Sequence, residues 1–201
     1  SNTTELVTVY SMAELTALRA CCNKHGLLLF LDGARLGPAL ACGDLTLPDY
    51  AALTDAFYIG GTKNGALFGE ALVFAKPRPD FRWHMKRRGA MLAKGRLLGV
   101  QFQALLEDGT YLDAARHANA LALRLRDGVA ALGYPLPIAS PSNQQFPVFP
   151  NEVIAKLQEM GYEFEVDHAV DGGHTCIRLV ASWATPEQAV EDFLRDLASC
   201  K

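Results

Sequence analysis

A carboxylate and an amine follow two apolar segments of this chain, each at the point where the segment ends. Asp32 comes directly after residues 27–31, and Lys63 follows residues 56–59 through a turn rich in glycine. Short apolar runs of this kind are typical of strands buried on both faces in a parallel sheet. Because ligands bind beyond the carboxyl ends of such strands, both side chains are predicted to face one crevice.

A carboxylate and a lysine at one crevice suit a lysine Schiff base to pyridoxal phosphate. The Lys63 amine would condense with the cofactor aldehyde. The Asp32 carboxylate would keep the pyridine nitrogen protonated, which makes the ring a better electron sink. The glycines beside Lys63 would let the backbone approach the cofactor, and the Thr62 hydroxyl could donate a hydrogen bond to its phosphate.

Each of the two residues also has an ordinary structural interpretation. Asp32 could cap the helix that follows it, and Lys63 could be a solvated lysine of a surface loop. Taken singly, these explanations are the more common ones. The occurrence of Asp32 and Lys63 together at successive strand ends favours a functional site, because ionisable groups that point into a pocket cluster at binding sites.

The surrounding elements predict an α/β domain followed by a small α+β domain. A capping box at Ser11 and Glu14 starts a first helix, and residues 81–132 have a mostly helical pattern that glycines interrupt. A proline-rich stretch at 134–141 is the best linker candidate. The other predicted strands are 71–74, 145–149, 162–166 and 175–180, and the later helices are 152–160 and 186–198. The predicted division is 1–110 for the larger domain, 111–133 for a connecting helix and 134–201 for the small domain.

Composition and charge exclude several classes of protein. The 201 residues are 50% hydrophobic and 20% charged, with a net charge of −3, so a strongly disordered chain is excluded. A negative balance argues against a nucleic-acid partner, since dedicated nucleic-acid domains are usually basic. The basic run between Arg82 and Arg96 is therefore interpreted as a solvated helix surface.

Cysteine and histidine usage predicts neither a metal site nor disulfides. The five cysteines and five histidines show none of the short spacings that are typical of metal ligands. An odd number of scattered cysteines is typical of reduced thiols, which predicts a cytoplasmic protein. No apolar run approaches the roughly 20 residues of a membrane helix, and the first residues lack a secretory pattern, so no membrane association is expected.

Three segments resemble motifs of the threonine aldolases, in the β-eliminating lyase family of fold-type-I pyridoxal-phosphate enzymes. Residues 30–35, Phe-Leu-Asp-Gly-Ala-Arg, are similar to the family's H-x-D-G-A-R motif, and residues 57–63 resemble its cofactor-lysine segment. Residues 1–5, Ser-Asn-Thr-Thr-Glu, look like the stretch that precedes this motif in one branch. The resemblance continues through residues 177–180 and so covers nearly the whole chain.

The resemblance implies a role for each of several residues. Asp32 would contact the pyridine nitrogen, and Lys63 would carry the cofactor. Arg35 would lie near the phenolic oxygen of the cofactor and the substrate carboxylate. Arg178 would bind that carboxylate, although a surface ion pair is an equally good interpretation of this arginine alone. Arg96, in a segment similar to the family's G-x-R, would reach the phosphate in a partner subunit.

The resemblance also implies a fold class. It predicts part of a fold-type-I large domain, with a mostly parallel sheet and helices, followed by a small α+β C-terminal domain. In the family, the large domain begins well before the DGAR strand and supplies a ring-stacking histidine and a glycine-threonine loop for the phosphate. Neither has a match here, so the chain is expected to correspond to the C-terminal portion of such an enzyme, incomplete at its N-terminus.

The function implied by this resemblance is a pyridoxal-phosphate-dependent carbon–carbon lyase. It would cleave threonine or allo-threonine to glycine and an aldehyde by a retro-aldol reaction, in a homodimer or homotetramer with shared active sites. Two alternatives remain open. One is another β-eliminating lyase or an aminotransferase with the same cofactor, and the other is a non-catalytic dimerisation module. The sequence does not identify the base that takes the β-hydroxyl proton.

Overall fold

The computed structural model describes residues 8–201, which form two compact units. The first unit comprises residues 10–114, and the second comprises residues 115–201 together with residues 8 and 9. The division falls inside a long helix, α6 (Thr110–Ala131). The motif found at residues 1–5 lies outside the described residues.

The first unit contains a mixed three-stranded sheet with helices. Its elements are α1 (Met12–Lys24), β1 (Phe30–Leu31), α2 (Leu36–Cys42), α3 (Leu47–Leu53), β2 (Ala56–Gly60), β3 (Glu70–Phe74), α4 (Phe81–Arg87) and α5 (Arg96–Glu107). β1 pairs with β2 in parallel, and β3 pairs with β2 antiparallel. The predicted capping box is confirmed at the start of α1, where the Ser11 and Glu14 side chains each accept from the other's backbone N–H.

The predicted strand at residues 27–31 is limited to two residues in the described part of the chain. β1 is two residues long, and within it Leu31 is buried whereas Phe30 is 58% exposed. Leu28, just before it, is 74% exposed. Among the described strands β1 lies at the edge of the sheet with β2 as its one neighbour, so the face that bears Leu31 is the face that packs into the core.

A continuous core underlies the two strand ends of the first unit. Leu15 of α1, Leu36 of α2 and Tyr50 of α3 are fully buried against Phe57 of β2. Burying side chains of this size removes a large apolar area from water, which is the main favourable term in folding. The sheet is thereby fixed on the helices that hold it.

The second unit is an antiparallel α+β arrangement. After α6 it contains β4 (Gln144–Gln145), β5 (Val148–Pro150), α7 (Asn151–Glu159), β6 (Glu165–Ala169), β7 (His174–Val180) and α8 (Glu187–Ser199). β7 is the central strand and pairs antiparallel with β4, β5 and β6. The predicted strand at 145–149 is split at Pro147, because proline has no N–H for the ladder. The strand predicted at 162–166 begins three residues later, at Glu165.

The structure bears on two features, membrane-spanning helices and disulfide bonds. None of the helices within residues 8–201 combines the length and the hydrophobicity that a bilayer span requires. The five cysteines are all free thiols, and Cys176 and Cys200 are buried.

Replacing Phe57 by alanine tests the dependence of the sheet on this core. We expect Phe57→Ala to lower the free energy of unfolding by about 3–5 kcal/mol, because the cavity adds to the lost burial. Leu67→Ala is the control, since Leu67 is 87% exposed, and its effect should stay within about 0.5 kcal/mol. Denaturant titration measures both values, and equal losses would contradict the packing described.

Candidate active site

Asp32 and Tyr58 meet because of the parallel register of β1 and β2. Leu31 pairs with Phe57, so Asp32 and Tyr58 occupy the next position along the two strands. The Tyr58 hydroxyl donates a hydrogen bond to Oδ1 of Asp32. The same oxygen accepts a bond from the backbone N–H of Ala34 at 3.0 Å. The carboxylate is thus oriented by two donors from two different segments.

These contacts keep Asp32 ionised. The Tyr58 hydroxyl, more than any other group, lowers the pKa of the Asp32 carboxyl, and it outweighs the opposite effect of burial. The Ala34 N–H and the charge of Lys63 act in the same direction, so Lys63 lies within electrostatic range of Asp32. Burial, followed by the bond to Asp32, raises the pKa of Tyr58. At neutral pH the pair therefore consists of a carboxylate and a protonated phenol.

The interpretation of Asp32 as a helix cap is wrong. α2 begins at Leu36, and its N-cap residue is Arg35, whose side chain makes no capping hydrogen bond. Asp32 lies three residues before that position. Arg35 itself is partly buried and directly precedes the helix, so the Asp-Gly-Ala-Arg segment spans the whole connection from strand to helix.

Lys63 lies in a turn that β3 holds from one side. The Gly61 N–H donates to Oε2 of Glu70 at 2.6 Å, and the Thr62 hydroxyl donates to Oε1 of the same carboxylate at 2.9 Å. Thr62 and Lys63 are both exposed. Glu70 therefore fixes the backbone on which the exposed amine is carried.

Two buried groups hold the same turn from the other side. The Asn64 side-chain amide donates to the carbonyl oxygen of Tyr111 at 2.7 Å. The Tyr111 hydroxyl in turn donates to the carbonyl oxygen of Gly60 at 2.8 Å. Because both bonds are buried, breaking either would leave a polar group unpaired at a cost of roughly 1–3 kcal/mol. The lysine turn is therefore a rigid part of the first unit.

Glycines are required where the two strand ends touch. A Cβ at Gly33 would lie 1.6 Å from the carbonyl oxygen of Tyr58. A Cβ at Gly60 would lie 2.5 Å from the carbonyl oxygens of Gly33 and Ala34. The Gly60 N–H also donates to the Gly33 carbonyl at 2.9 Å. Gly33 and Gly60 therefore serve backbone packing inside the unit, a requirement that the sequence did not indicate.

The remaining sequence-predicted residues lie elsewhere in the two units. Arg96 is the first residue of α5 and is exposed. Arg178 lies on β7 in the second unit and forms an ion pair with Glu165 of β6. Its Nε is buried and has no hydrogen-bond partner within residues 8–201. Thus the first unit brings Asp32 and Lys63 together, and Arg178 is held by the second.

Sequence reasoning missed Tyr58 and Glu70. Tyr58 lies within the apolar segment that forms β2, and its contact with Asp32 follows from the register of the strands rather than from any local motif. A pairing of residues 30–31 with residues 56–57 would have placed it opposite Asp32. Glu70 starts a strand that was predicted from 71 onwards, so its side chain had no assigned position.

Comparisons with known proteins show which family and which solved structures the chain resembles. The family model described as beta-eliminating lyase matches residues 1–152. A low specificity L-threonine aldolase from a Pseudomonas species is 34% identical over 200 residues, which cover 96% of this chain and 56% of the relative. The chain therefore spans a little over half the length of this curated relative.

Solved structures extend the comparison to the fold. A threonine aldolase of Leishmania major is 44% identical, with a TM-score of 0.94, over 98% of this chain and 59% of that chain. A serine palmitoyltransferase of Sphingomonas wittichii, 17% identical with a TM-score of 0.66, covers 96% of this chain and 52% of its own. At that identity the second likeness concerns the fold alone.

Replacing Tyr58 by phenylalanine tests the hydrogen bond that sets the charge of Asp32. We expect Tyr58→Phe to raise the pKa of Asp32 towards its ordinary value, because the largest stabilising contact of the carboxylate is removed. Tyr50→Phe is the matched control, since the buried Tyr50 hydroxyl has no partner among the described residues. Carbon NMR titration of the Asp32 carboxyl measures the change, and an unchanged pKa in Tyr58→Phe would contradict the assignment.

Proposed function

Because the chain belongs to the beta-eliminating lyase family, we propose that the protein is a pyridoxal-phosphate-dependent lyase of the threonine aldolase type. It would cleave threonine or allo-threonine to glycine and an aldehyde. The observation that carries the proposal is the ionised Asp32 carboxylate with the Lys63 amine within its electrostatic range. The fold is that of fold-type-I pyridoxal-phosphate enzymes, as the sequence predicted.

Family membership implies pyridoxal phosphate, and the residues at the two strand ends fit this group. An ionised carboxylate is the partner that a protonated pyridine nitrogen needs, and an exposed amine on a rigid turn can attach to the aldehyde carbon. When bound, the cofactor supplies the electron sink for the pair of electrons released as the substrate Cα–Cβ bond breaks. Asp32 and Lys63 are the residues of this chain that would hold it.

Each residue of the site has one task in this proposal. Asp32 would accept the N–H of the pyridine ring, and Tyr58 would keep that carboxylate charged and oriented. Lys63 would carry the cofactor and give it up to the substrate amine. Arg35 would lie near the phenolic oxygen and the substrate carboxylate. Thr62 would donate to the phosphate, for which its hydroxyl must exchange its present partner, Glu70.

Arg178 is proposed as the main ligand of the substrate carboxylate. Its pairing with Glu165 leaves Nε as a buried donor without a partner within residues 8–201. A guanidinium presents five N–H donors in a planar fork, so it can keep one anionic partner and still bind a second carboxylate. In this role Glu165 is a positioning residue that orients the guanidinium.

The proposal extends to the organisation of the whole protein. Residues 1–110 would form the remainder of the cofactor-binding domain, residues 111–133 a connecting helix and residues 134–201 the small domain. Arg96 would reach the cofactor phosphate of a partner subunit in a homodimer or homotetramer. The five free thiols support a cytoplasmic location, where thiols stay reduced.

The alternatives from the sequence are less well supported. An aminotransferase with the same cofactor would use Asp32 and Lys63 equally well, but the curated relatives at 34% identity are named threonine aldolases. A non-catalytic dimerisation module gives no reason for a carboxylate kept ionised within electrostatic range of a lysine. Threonine cleavage is therefore the activity to assay first.

Lys63 is tested by chemical labelling and by substitution. Reduction of the holoenzyme with borohydride should fix the cofactor covalently on Lys63, as read by peptide mass spectrometry. Lys63→Ala should abolish threonine cleavage without changing the melting temperature, because an exposed side chain contributes little to packing. Lys76→Ala, a change at another exposed lysine, should keep full activity. A label on Lys76, or turnover by Lys63→Ala, would contradict the proposal.

The role of Arg178 is tested by a variant that keeps the positive charge but lacks the planar guanidinium. Arg178→Lys should lower kcat/KM for threonine about tenfold to hundredfold through KM, since a charge-assisted hydrogen bond contributes roughly 1.5–3 kcal/mol. Cofactor affinity should not change. Glu165→Gln should preserve most of the activity, because the arginine remains. If both variants lost stability alone, with KM unchanged, the ion pair would be purely structural.

A further inference from the structure

The pairing of β6 with β7 contains one irregularity. Val166 pairs with Ile177, but the next pair along the ladder is His168 with Cys176. Asp167 is therefore an extra residue on β6, which is the arrangement of a β-bulge. A bulge re-aims side chains and so brings together groups that a regular strand would keep apart.

The bulge places three metal-ligating side chains on one face. In a regular strand neighbouring side chains point to opposite faces, so Asp167 and His168 would be separated. Because of the extra residue, His168 points to the same face of the sheet as Asp167. On that face it lies directly across the ladder from Cys176. Carboxylate oxygen, imidazole nitrogen and thiol sulfur then lie within 4.8 Å of one another. Nδ1 of His168 is 2.7 Å from Oδ2 of Asp167.

The three groups form a site with a buried floor and an open entrance. Cys176 is fully buried against Phe146 and Val148, and its thiol faces the carbonyl oxygen of Phe146 at 3.8 Å. Asp167 and His168 are exposed. An ion can therefore approach from solvent through these two exposed side chains and reach the sulfur beneath them. Burial, followed by the negative charge of Asp167, raises the pKa of the Cys176 thiol, and a bound dication reverses that effect by taking the thiolate as a ligand.

We propose that Asp167, His168 and Cys176 bind Zn²⁺. Thiolate, imidazole and carboxylate are the three ligand types that zinc takes in proteins, and three protein ligands leave the fourth tetrahedral position to water. On binding, the thiol proton is released to solvent, and the hydrogen bond between Asp167 and His168 is replaced by two bonds to the metal. The two exposed side chains supply the small contraction that ligand distances of about 2.0–2.3 Å require. None of these residues has a task in the proposed threonine cleavage, so the inference is independent of it.

Cobalt substitution tests the site directly. The full chain, freed of metal by a chelator, is titrated with Co²⁺ and followed by its visible d–d bands, whose intensity reports tetrahedral coordination. We expect one saturable site per chain and loss of the bands when Zn²⁺ is added in competition. Zn²⁺ should also raise the melting temperature, since an ion that binds the folded state stabilises it.

Ligand variants locate the ion. His168→Gln and Asp167→Asn, both at exposed positions, should each weaken binding by at least about tenfold and remove the Zn²⁺-dependent rise in melting temperature. His174→Gln is the matched control, because His174 also pairs with an aspartate, Asp171, at 3.0 Å in the same unit. It should bind as the parent does. Absence of saturable binding, or equal affinity in His168→Gln and the parent, would overturn the proposal.

Discussion

The backbone contact between the ends of β1 and β2 is the constraint on which the proposed active site depends. The Gly60 N–H donates to the Gly33 carbonyl at 2.9 Å, and at neither glycine is there room for a Cβ. This contact fixes the spacing of the two strand ends to that of backbone against backbone. At that spacing the Tyr58 hydroxyl reaches Asp32, and the turn after β2 brings the charge of Lys63 within range of the carboxylate. The close approach of Gly33 and Gly60 thus positions the groups that lower the pKa of Asp32.

That electrostatic arrangement also contributes to stability in a definite pH range. The pKa of Asp32 is lower in the folded chain than its ordinary value. A carboxyl group of this kind favours the folded state above its unfolded pKa, and the contribution is lost as the pH falls through the folded pKa. At neutral pH the folded chain therefore favours the ionised form of Asp32. This is also the form that would bind a protonated pyridine. The site does not have to trade stability for its ionised carboxylate.

Sequence reasoning reached the parts of this structure that local patterns determine. Asp32 and Lys63 follow apolar segments that end at recognisable points, and the capping box at Ser11 marks a helix start without tertiary information. What it missed depends on pairing between distant segments. The contact of Tyr58 with Asp32 follows from the pairing of β1 with β2. The start of β6 at Glu165 follows from its register with β7, which no window of neighbouring residues contains.

The same distinction explains why the histidine spacing gave no metal prediction. Spacing rules assume ligands on one helix or one short loop, whereas Asp167 and His168 meet Cys176 across a strand pair. β7 presents Arg178 and Cys176 on one face, two residues apart. Glu165 faces Arg178 in register, and in a regular strand His168, three residues further on, would point to the opposite face. The bulge turns His168 to the face that Glu165 occupies. β6 therefore presents a carboxylate to Arg178 at one end and an imidazole to Cys176 at the other. The proposed zinc site of the second unit is therefore a consequence of the register shift, whereas Arg178 and Glu165 pair in the regular part of the ladder that precedes it.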